Sequence, residues 1–366
     1  VRRRITVFGG LAGLIALGTF GLVSVLSGTP SRPVAVTRTT VVTPHRAPHH
    51  VVGLASRSFT FIDPGRSTFD YTTGKRIDRR SLGVEFLYLT KAGVADRITP
   101  DAPIERRMAY PLVLFAPGYR LRTANYTTLL EAWVRAGFLV ASISFPDTTY
   151  PASDVPYSAH LPYGLPEGDL YNQPGDVAFL LGKLNASAQG GAWYDGLVDP
   201  HRIVLAGHSD GGSTVAALVY DSAAPHTSVA VRGVVVLSGS EFPISGQTYA
   251  QPSSGEVPLL VVQGTADRCS PPAGAIGLYD AIGAPKDLDL LTGASHLGPY
   301  DGSEPTSFGV VQRLTTRFLE DAVGASSVTS TSLATAGNAP GVAVLSSNAH
   351  VLEIPAPPGG TVCPAD

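Results

Sequence analysis

The chain has 366 residues, a formal net charge of −3 and only 15% charged residues. With no basic cluster beyond the first few positions, that balance argues against a nucleic-acid partner. The length suits one large α/β domain with tails, or two small domains, and 40 glycines with 30 prolines in no fixed period exclude a fibrous repeat and imply many shaped loops.

Arg2-Arg3-Arg4 precede an uncharged, mainly apolar run over residues 5–26. A positive end followed by an apolar core is the pattern of an export signal, and as a helix the run matches the hydrocarbon thickness of a bilayer. Residues 1–28 are therefore read as a signal peptide or an uncleaved membrane anchor. In either case the positive end stays inside and the rest of the chain lies outside the cytoplasm. The protein is expected to be secreted or anchored to the cytoplasmic membrane facing outward, with this segment as its route to membrane association.

Residues 29–55 are rich in proline and threonine without sustained periodicity and read as a linker. His45, His49 and His50 fall here without cysteine or acidic partners at ligand spacing, so no metal site is expected. One α/β domain is predicted over 56–325. Strands at 59–62 and 82–90 form an antiparallel opening pair around the turn Asp63-Pro64-Gly65. Strands and helices then alternate. Strands are expected at 112–116, 138–145, 203–206, 233–237, 259–263 and 288–291, with helices near 126–136, 176–184, after 209, near 273–282 and near 307–322. Alternation of this kind implies a mainly parallel central sheet with helices on both faces, whose strands read as unbroken apolar runs. Between 146 and 174 the alternation stops: six prolines and four tyrosines occupy a span too long for an ordinary connection, read as an insertion or lid loop. Residues 326–366 are read as a C-terminal tail.

The chemistry concentrates at Gly207-His208-Ser209-Asp210-Gly211, between an apolar strand run and a small-residue helical run. Glycines at those places allow the sharp strand-to-helix turn that lifts a serine hydroxyl out at the top of a sheet, which makes Ser209 the candidate nucleophile. A serine hydroxyl needs a base within reach, and in this type of sheet the chain order is serine, acid, histidine. His226 precedes the acid and His350 lies in the tail, which leaves His296, after a strand in Gly293-Ala294-Ser295-His296. For the acid, Asp267 follows strand 259–263 at its C-terminal edge, where ligand sites of α/β sheets lie. Glu241, after the preceding strand, is the alternative. Two backbone N–H groups should face the developing oxyanion. One belongs to Asp210; the other is sought at Tyr119, in the loop Ala116-Pro117-Gly118-Tyr119.

The Pro-Gly-Tyr loop, the serine turn, Gly264-Thr265-Ala266-Asp267 and Ala294-Ser295-His296 together resemble the bacterial cutinase and polyester-hydrolase branch of the α/β-hydrolases. They are also similar to the dienelactone-hydrolase-like and platelet-activating-factor acetylhydrolase-like esterases. The resemblance spans roughly residues 55–325. It implies an α/β-hydrolase fold and a serine carboxylester hydrolase using Ser209, Asp267 and His296, with Tyr119 and Asp210 at the oxyanion, no cofactor, and a small-molecule or lipid-like ester as substrate. The polyester hydrolases usually carry methionine where this chain has Asp210, and tryptophan where it has Glu241-Phe242, which makes Phe242 a substrate-contact candidate. An acyltransferase on the same three residues and an inactive envelope-anchored binding protein are the alternative functions. Finally, Cys269 and Cys363 are the only cysteines of a chain expected to be exported, so a disulfide between them is expected.

Overall fold

The computed structural model describes residues 53–70, 75–91, 97–105, 109–146, 148, 168–186, 192–225, 227–241, 249–253, 255–283, 285–324 and 330–351. The N-terminal segment, residues 29–52 of the expected linker, most of the expected insertion, Phe242 and Cys363 lie outside them, while residues 53–55, read from sequence as linker, open the first strand. Among the described residues no helix is long and apolar enough to cross a membrane.

The chain opens with β1 (Gly53–Asp63), the short pair β2 (Thr68–Asp70) and β3 (Lys75–Ile77), and β4 (Arg80–Thr90). β1 and β4 pair antiparallel along their whole length, as expected, and β2 and β3 form a separate two-stranded sheet between them. β5 (Ile98–Pro100), β6 (Tyr110–Ala116), α1 (Thr127–Arg135) and β7 (Leu139–Ser144) follow. α2 (Gln173–Ala186), β8 (Val198–His208), α3 (Asp210–Tyr220), β9 (Val231–Leu237) and β10 (Leu259–Gly264) come next. The chain continues through α4 (Pro272–Ala281), β11 (Lys286–Leu291), α5 (Gly298–Asp301), α6 (Pro305–Val323), α7 (Ser330–Gly337) and β12 (Ala343–Ser347).

Ten strands make one sheet in the order β12-β11-β10-β9-β8-β6-β7-β4-β1-β5. Neighbours from β7 through β11 run parallel; β4 on β7 and β12 on β11 are antiparallel. Side chains alternate across the pleat. Leu112, Leu114 and Ala116 of β6 and Leu259 and Val261 of β10 face one core with α2, α3 and α4. Val113 and Phe115, with Leu260 and Val262, face the other with α1 and α6. Because both faces are covered, the inner strands carry apolar residues at successive positions. Helix α6 shows the complementary pattern: Val310, Val311, Leu314, Phe318 and Leu319 recur at helical spacing and are buried.

Residues 330–347, read from sequence as tail, instead add α7 and the edge strand β12. Their signal is weak for a physical reason. α7 is built largely of small and polar residues, and β12 buries only Ala343 while Val344 is exposed.

Two buried ionic features stand out. Arg80, at the start of β4, is fully buried and makes two hydrogen bonds each to Asp169 and Asp176, while Arg66 reaches Asp63 and Asp176. This network fastens the start of α2 and the turn before it to the antiparallel end of the sheet; removing one partner of such a pair typically costs about 3–5 kcal/mol. Asp289 of β11 is the opposite case. It is fully buried, and neither carboxylate oxygen finds a hydrogen-bond partner among the described residues.

Burial raises the Asp289 pKa from 3.8 to about 7. The folded protein therefore holds a proton that the unfolded chain releases above its own pKa, so stability falls as pH rises between those values and the penalty is complete above the higher one. Asp289→Asn is expected to melt higher than the parent protein at about pH 8, with the gap shrinking by roughly 2–3 kcal/mol on going to about pH 5. A gap independent of pH in denaturant titrations would show that the carboxyl is not protonated in the fold.

Candidate active site

The turn between β8 and α3 is built as the glycines require. A Cβ on Gly207 would come within 2.2 Å of the Gly211 carbonyl oxygen, and one on Gly211 within 2.0 Å of the Ala116 carbonyl oxygen. Only bare backbones fit so close. Ser209 itself sits at φ 54°, a left-handed conformation that non-glycine residues rarely adopt and that tends to mark functional turns.

From that turn Ser209 Oγ lies 3.0 Å from His296 Nε2, and His296 Nδ1 lies 2.8 Å from Asp267 Oδ2. The three residues come from the ends of β8 and β10 and the loop after β11, and are brought together from positions far apart in sequence. Asp267 is fully buried. Its Oδ1 accepts the backbone N–H groups of Cys269 at 2.9 Å and Ser270 at 2.8 Å, and its Oδ2 accepts from Gln263 Nε2 at 3.2 Å. Burial alone would push this carboxyl up. The His296 hydrogen bond, the charge interaction with His296, the Ser270 N–H and the Ser238 hydroxyl outweigh it and hold the pKa below the usual carboxylate value. An ionised carboxylate only accepts, so Nδ1 of a neutral His296 carries the proton and Nε2 is left to accept from the serine hydroxyl.

Glu241 is placed elsewhere: its Oε1 accepts the backbone N–H of Tyr249 at 2.9 Å, a loop contact away from the imidazole. Asp210 opens α3 directly after Ser209. Tyr119 follows Gly118, whose approach is so close that a Cβ there would lie 3.1 Å from Ser209 Cβ. Both residues proposed for the oxyanion thus flank the serine. The loop that carries Tyr119 and Arg120 is held by the Arg120 N–H donating to the Thr148 carbonyl at 2.8 Å.

Several residues at this site carry no signal in the sequence. Ser238, at the end of β9, has φ 49° and is fully buried, with Tyr300 Oη 2.9 Å from its Oγ. Gln263 Nε2 donates to the same Asp267 oxygen that faces His296 and also to the Ser270 carbonyl. Glu304 supports the histidine loop by accepting the Ser295 N–H at 3.0 Å. Cys269 lies two residues beyond Asp267 and is not a free thiol. Among the described residues, no group of three or more His, Cys, Asp or Glu side chains is placed to hold a metal ion.

A solved structure of a ferulic acid esterase from Streptomyces cinnamoneus superimposes with a TM-score of 0.55, covering 79% of this chain and 97% of that one at 16% sequence identity. The chain has the α/β-hydrolase fold. No family model and no curated protein matches the sequence. Within the α/β-hydrolase fold, the serine turn, the acid loop and the histidine loop occupy the C-terminal edge of the parallel strands, where such sheets place their chemistry.

Proposed function

We propose that the protein is an exported serine carboxylester hydrolase working through an acyl-enzyme. The observation that carries the reading is the pair of hydrogen bonds joining Ser209 Oγ to His296 Nε2 and His296 Nδ1 to Asp267 Oδ2. In this reading Ser209 Oγ attacks the ester carbonyl carbon while its proton passes to His296 Nε2. The tetrahedral oxyanion accepts the N–H groups of Tyr119 and Asp210. As the C–O bond to the leaving group breaks, His296 returns the proton to that oxygen and an alcohol departs. Water then attacks the acyl carbon with His296 as base, the acid is released, and Ser209 recovers its proton. Asp267 holds the imidazole in the required tautomer and stabilises its charged form without taking the proton itself. The structural neighbour's description as a ferulic acid esterase agrees with ester chemistry on this scaffold.

The test is turnover of p-nitrophenyl esters over a ladder of acyl lengths, with and without an added alcohol acceptor. Release of nitrophenol with free acid as the second product is expected. Ester product formed on the added alcohol in preference to acid would make the protein an acyltransferase, and no turnover would favour a binding protein on a hydrolase scaffold.

Export by the N-terminal segment and a Cys269–Cys363 bridge belong to the same proposal. The bridge would tie the end of the chain beside the acid loop and stabilise the fold by several kcal/mol in the chain-entropy model. Protein alkylated without reductant is expected to keep its unmodified intact mass; two added alkyl groups would rule the bridge out.

A further inference from the structure

We propose that His208, the residue before the serine, is a positioning residue that joins the oxyanion loop to the catalytic-histidine loop through one continuous hydrogen-bonded path. The inference rests on the esterase reading above. His208 is fully buried, and its two ring nitrogens face different loops. Nε2 lies 2.9 Å from the His296 carbonyl oxygen, and Nδ1 lies 2.8 Å from Tyr126 Oη. A carbonyl oxygen only accepts, so Nε2 carries a proton. In the neutral ring Nδ1 is then the acceptor, and Tyr126 donates to it. Tyr126 Oη in turn accepts the backbone N–H of Gly118 at 3.1 Å.

The path therefore has one direction throughout. It runs from Gly118 N–H to Tyr126 Oη, from Tyr126 O–H to His208 Nδ1, and from His208 Nε2–H to the carbonyl of His296. Gly118 is the neighbour of Tyr119 in the oxyanion loop, His208 is bonded to Ser209, and His296 is the base. One imidazole thus touches the supports of all three groups that meet the reacting ester.

The ring has little freedom to do otherwise. A Cβ on Gly118 would lie 3.0 Å from His208 Nδ1, so this loop packs directly on the imidazole. The rings of His296 and Tyr300 stand 4.6 Å and 5.0 Å away, and that of Tyr126 5.5 Å. A second proton on the ring would make Nδ1 a donor, so that Tyr126 Oη would have to accept from it as well as from Gly118 and its own proton would lose the acceptor it has now. Burial and the neighbouring His296 oppose that proton, holding the His208 pKa down to about 3, so the path keeps its direction across the range in which an esterase works.

Precise placement matters because a shift of about 1 Å in a reacting group can lower a rate by about a hundredfold. Tyr126→Phe removes a single oxygen and breaks the path at two bonds; His208→Leu breaks it at both ring nitrogens; His208→Gln keeps one donor and one acceptor. The expected result with p-nitrophenyl esters is a kcat about ten- to a hundredfold lower for Tyr126→Phe and for His208→Leu, with KM changed less than about threefold and partial recovery in His208→Gln. The double variant should be no slower than the worse single one, since the path acts as a unit.

Losses that only track the folded fraction, strict additivity in the double variant, or Gln performing no better than Leu would overturn the proposal. If His208→Leu does not fold, Tyr126→Phe decides alone, and unchanged kcat in it is a contrary result. A readout independent of turnover is the long-range ¹⁵N–¹H spectrum of the histidine rings. His208 should be protonated at Nε2 alone from about pH 5 to about pH 9, and Tyr126→Phe should move both His208 and His296 signals. A parent protein with this signature but without ester turnover would count against the esterase reading alone; turnover with His208 protonated at Nδ1 would count against the path alone.

Discussion

Ser209→Ala and His296→Ala should each lower kcat for a p-nitrophenyl ester by about 10⁴- to 10⁶-fold, with a melting temperature close to that of the parent protein. The expectation follows from geometry. Ser209 Oγ and His296 Nε2 are 3.0 Å apart, so truncating either side chain removes the nucleophile or the base from that contact. Because members of such a set act as a unit, the double variant should lose no more than the worse single one. Neither side chain is a major support of the core, and alanine at 209 removes only a hydroxyl. Stability should therefore stay nearly constant while the rate collapses. Retained turnover in either variant would remove that residue from the mechanism.

Asp267 should come next in effect. Asp267→Ala is expected to reduce kcat by about 10⁴-fold, and Glu241→Ala by no more than a few fold. The sequence assigns Asp267, with Glu241 as the alternative, since each follows a strand between Ser209 and His296. The structure separates them by what each carboxylate touches. Asp267 Oδ2 is 2.8 Å from the imidazole and its other oxygen is fixed by two backbone N–H groups, whereas Glu241 Oε1 is engaged with Tyr249. The measurement is kcat for both variants beside their thermal denaturation. Equal losses, or a larger loss at Glu241, would reassign the acid.

What the sequence discloses depends on how far each feature is set by local chemistry. The central strands are legible because burial on both faces demands successive apolar residues: β9 and β10 fall within two residues of their expected limits. β8 starts five residues before its apolar run, at the buried Val198; its register against β6 and β9 shifts there, Pro200 and His201 are exposed, and Arg202 pairs with Asp199. β5 and β12 escape the pattern since each is short and pairs on one side only within the sheet. The serine, acid and histidine are readable because chain order and turn glycines are themselves sequence properties.

Their supports are not readable in that way. Ser238, Gln263, Tyr126 and Glu304 act through approaches of strands and loops that no spacing announces. His208 lies inside the motif, yet its two partners are contributed by the first helical turn after β6 and the loop after β11. Only the fold brings them to it.

The central claim is that Ser209 is a nucleophile activated within this fold, and labelling with a fluorophosphonate tests it most directly. Attack by Ser209 Oγ displaces fluoride and leaves one stable phosphonyl group on the serine. The account predicts a single adduct in the intact mass, mapped to the peptide carrying Ser209, loss of ester turnover in step with labelling, and no adduct in Ser209→Ala. Ester turnover that persists in fully treated protein, or an adduct confined to another residue, would contradict it.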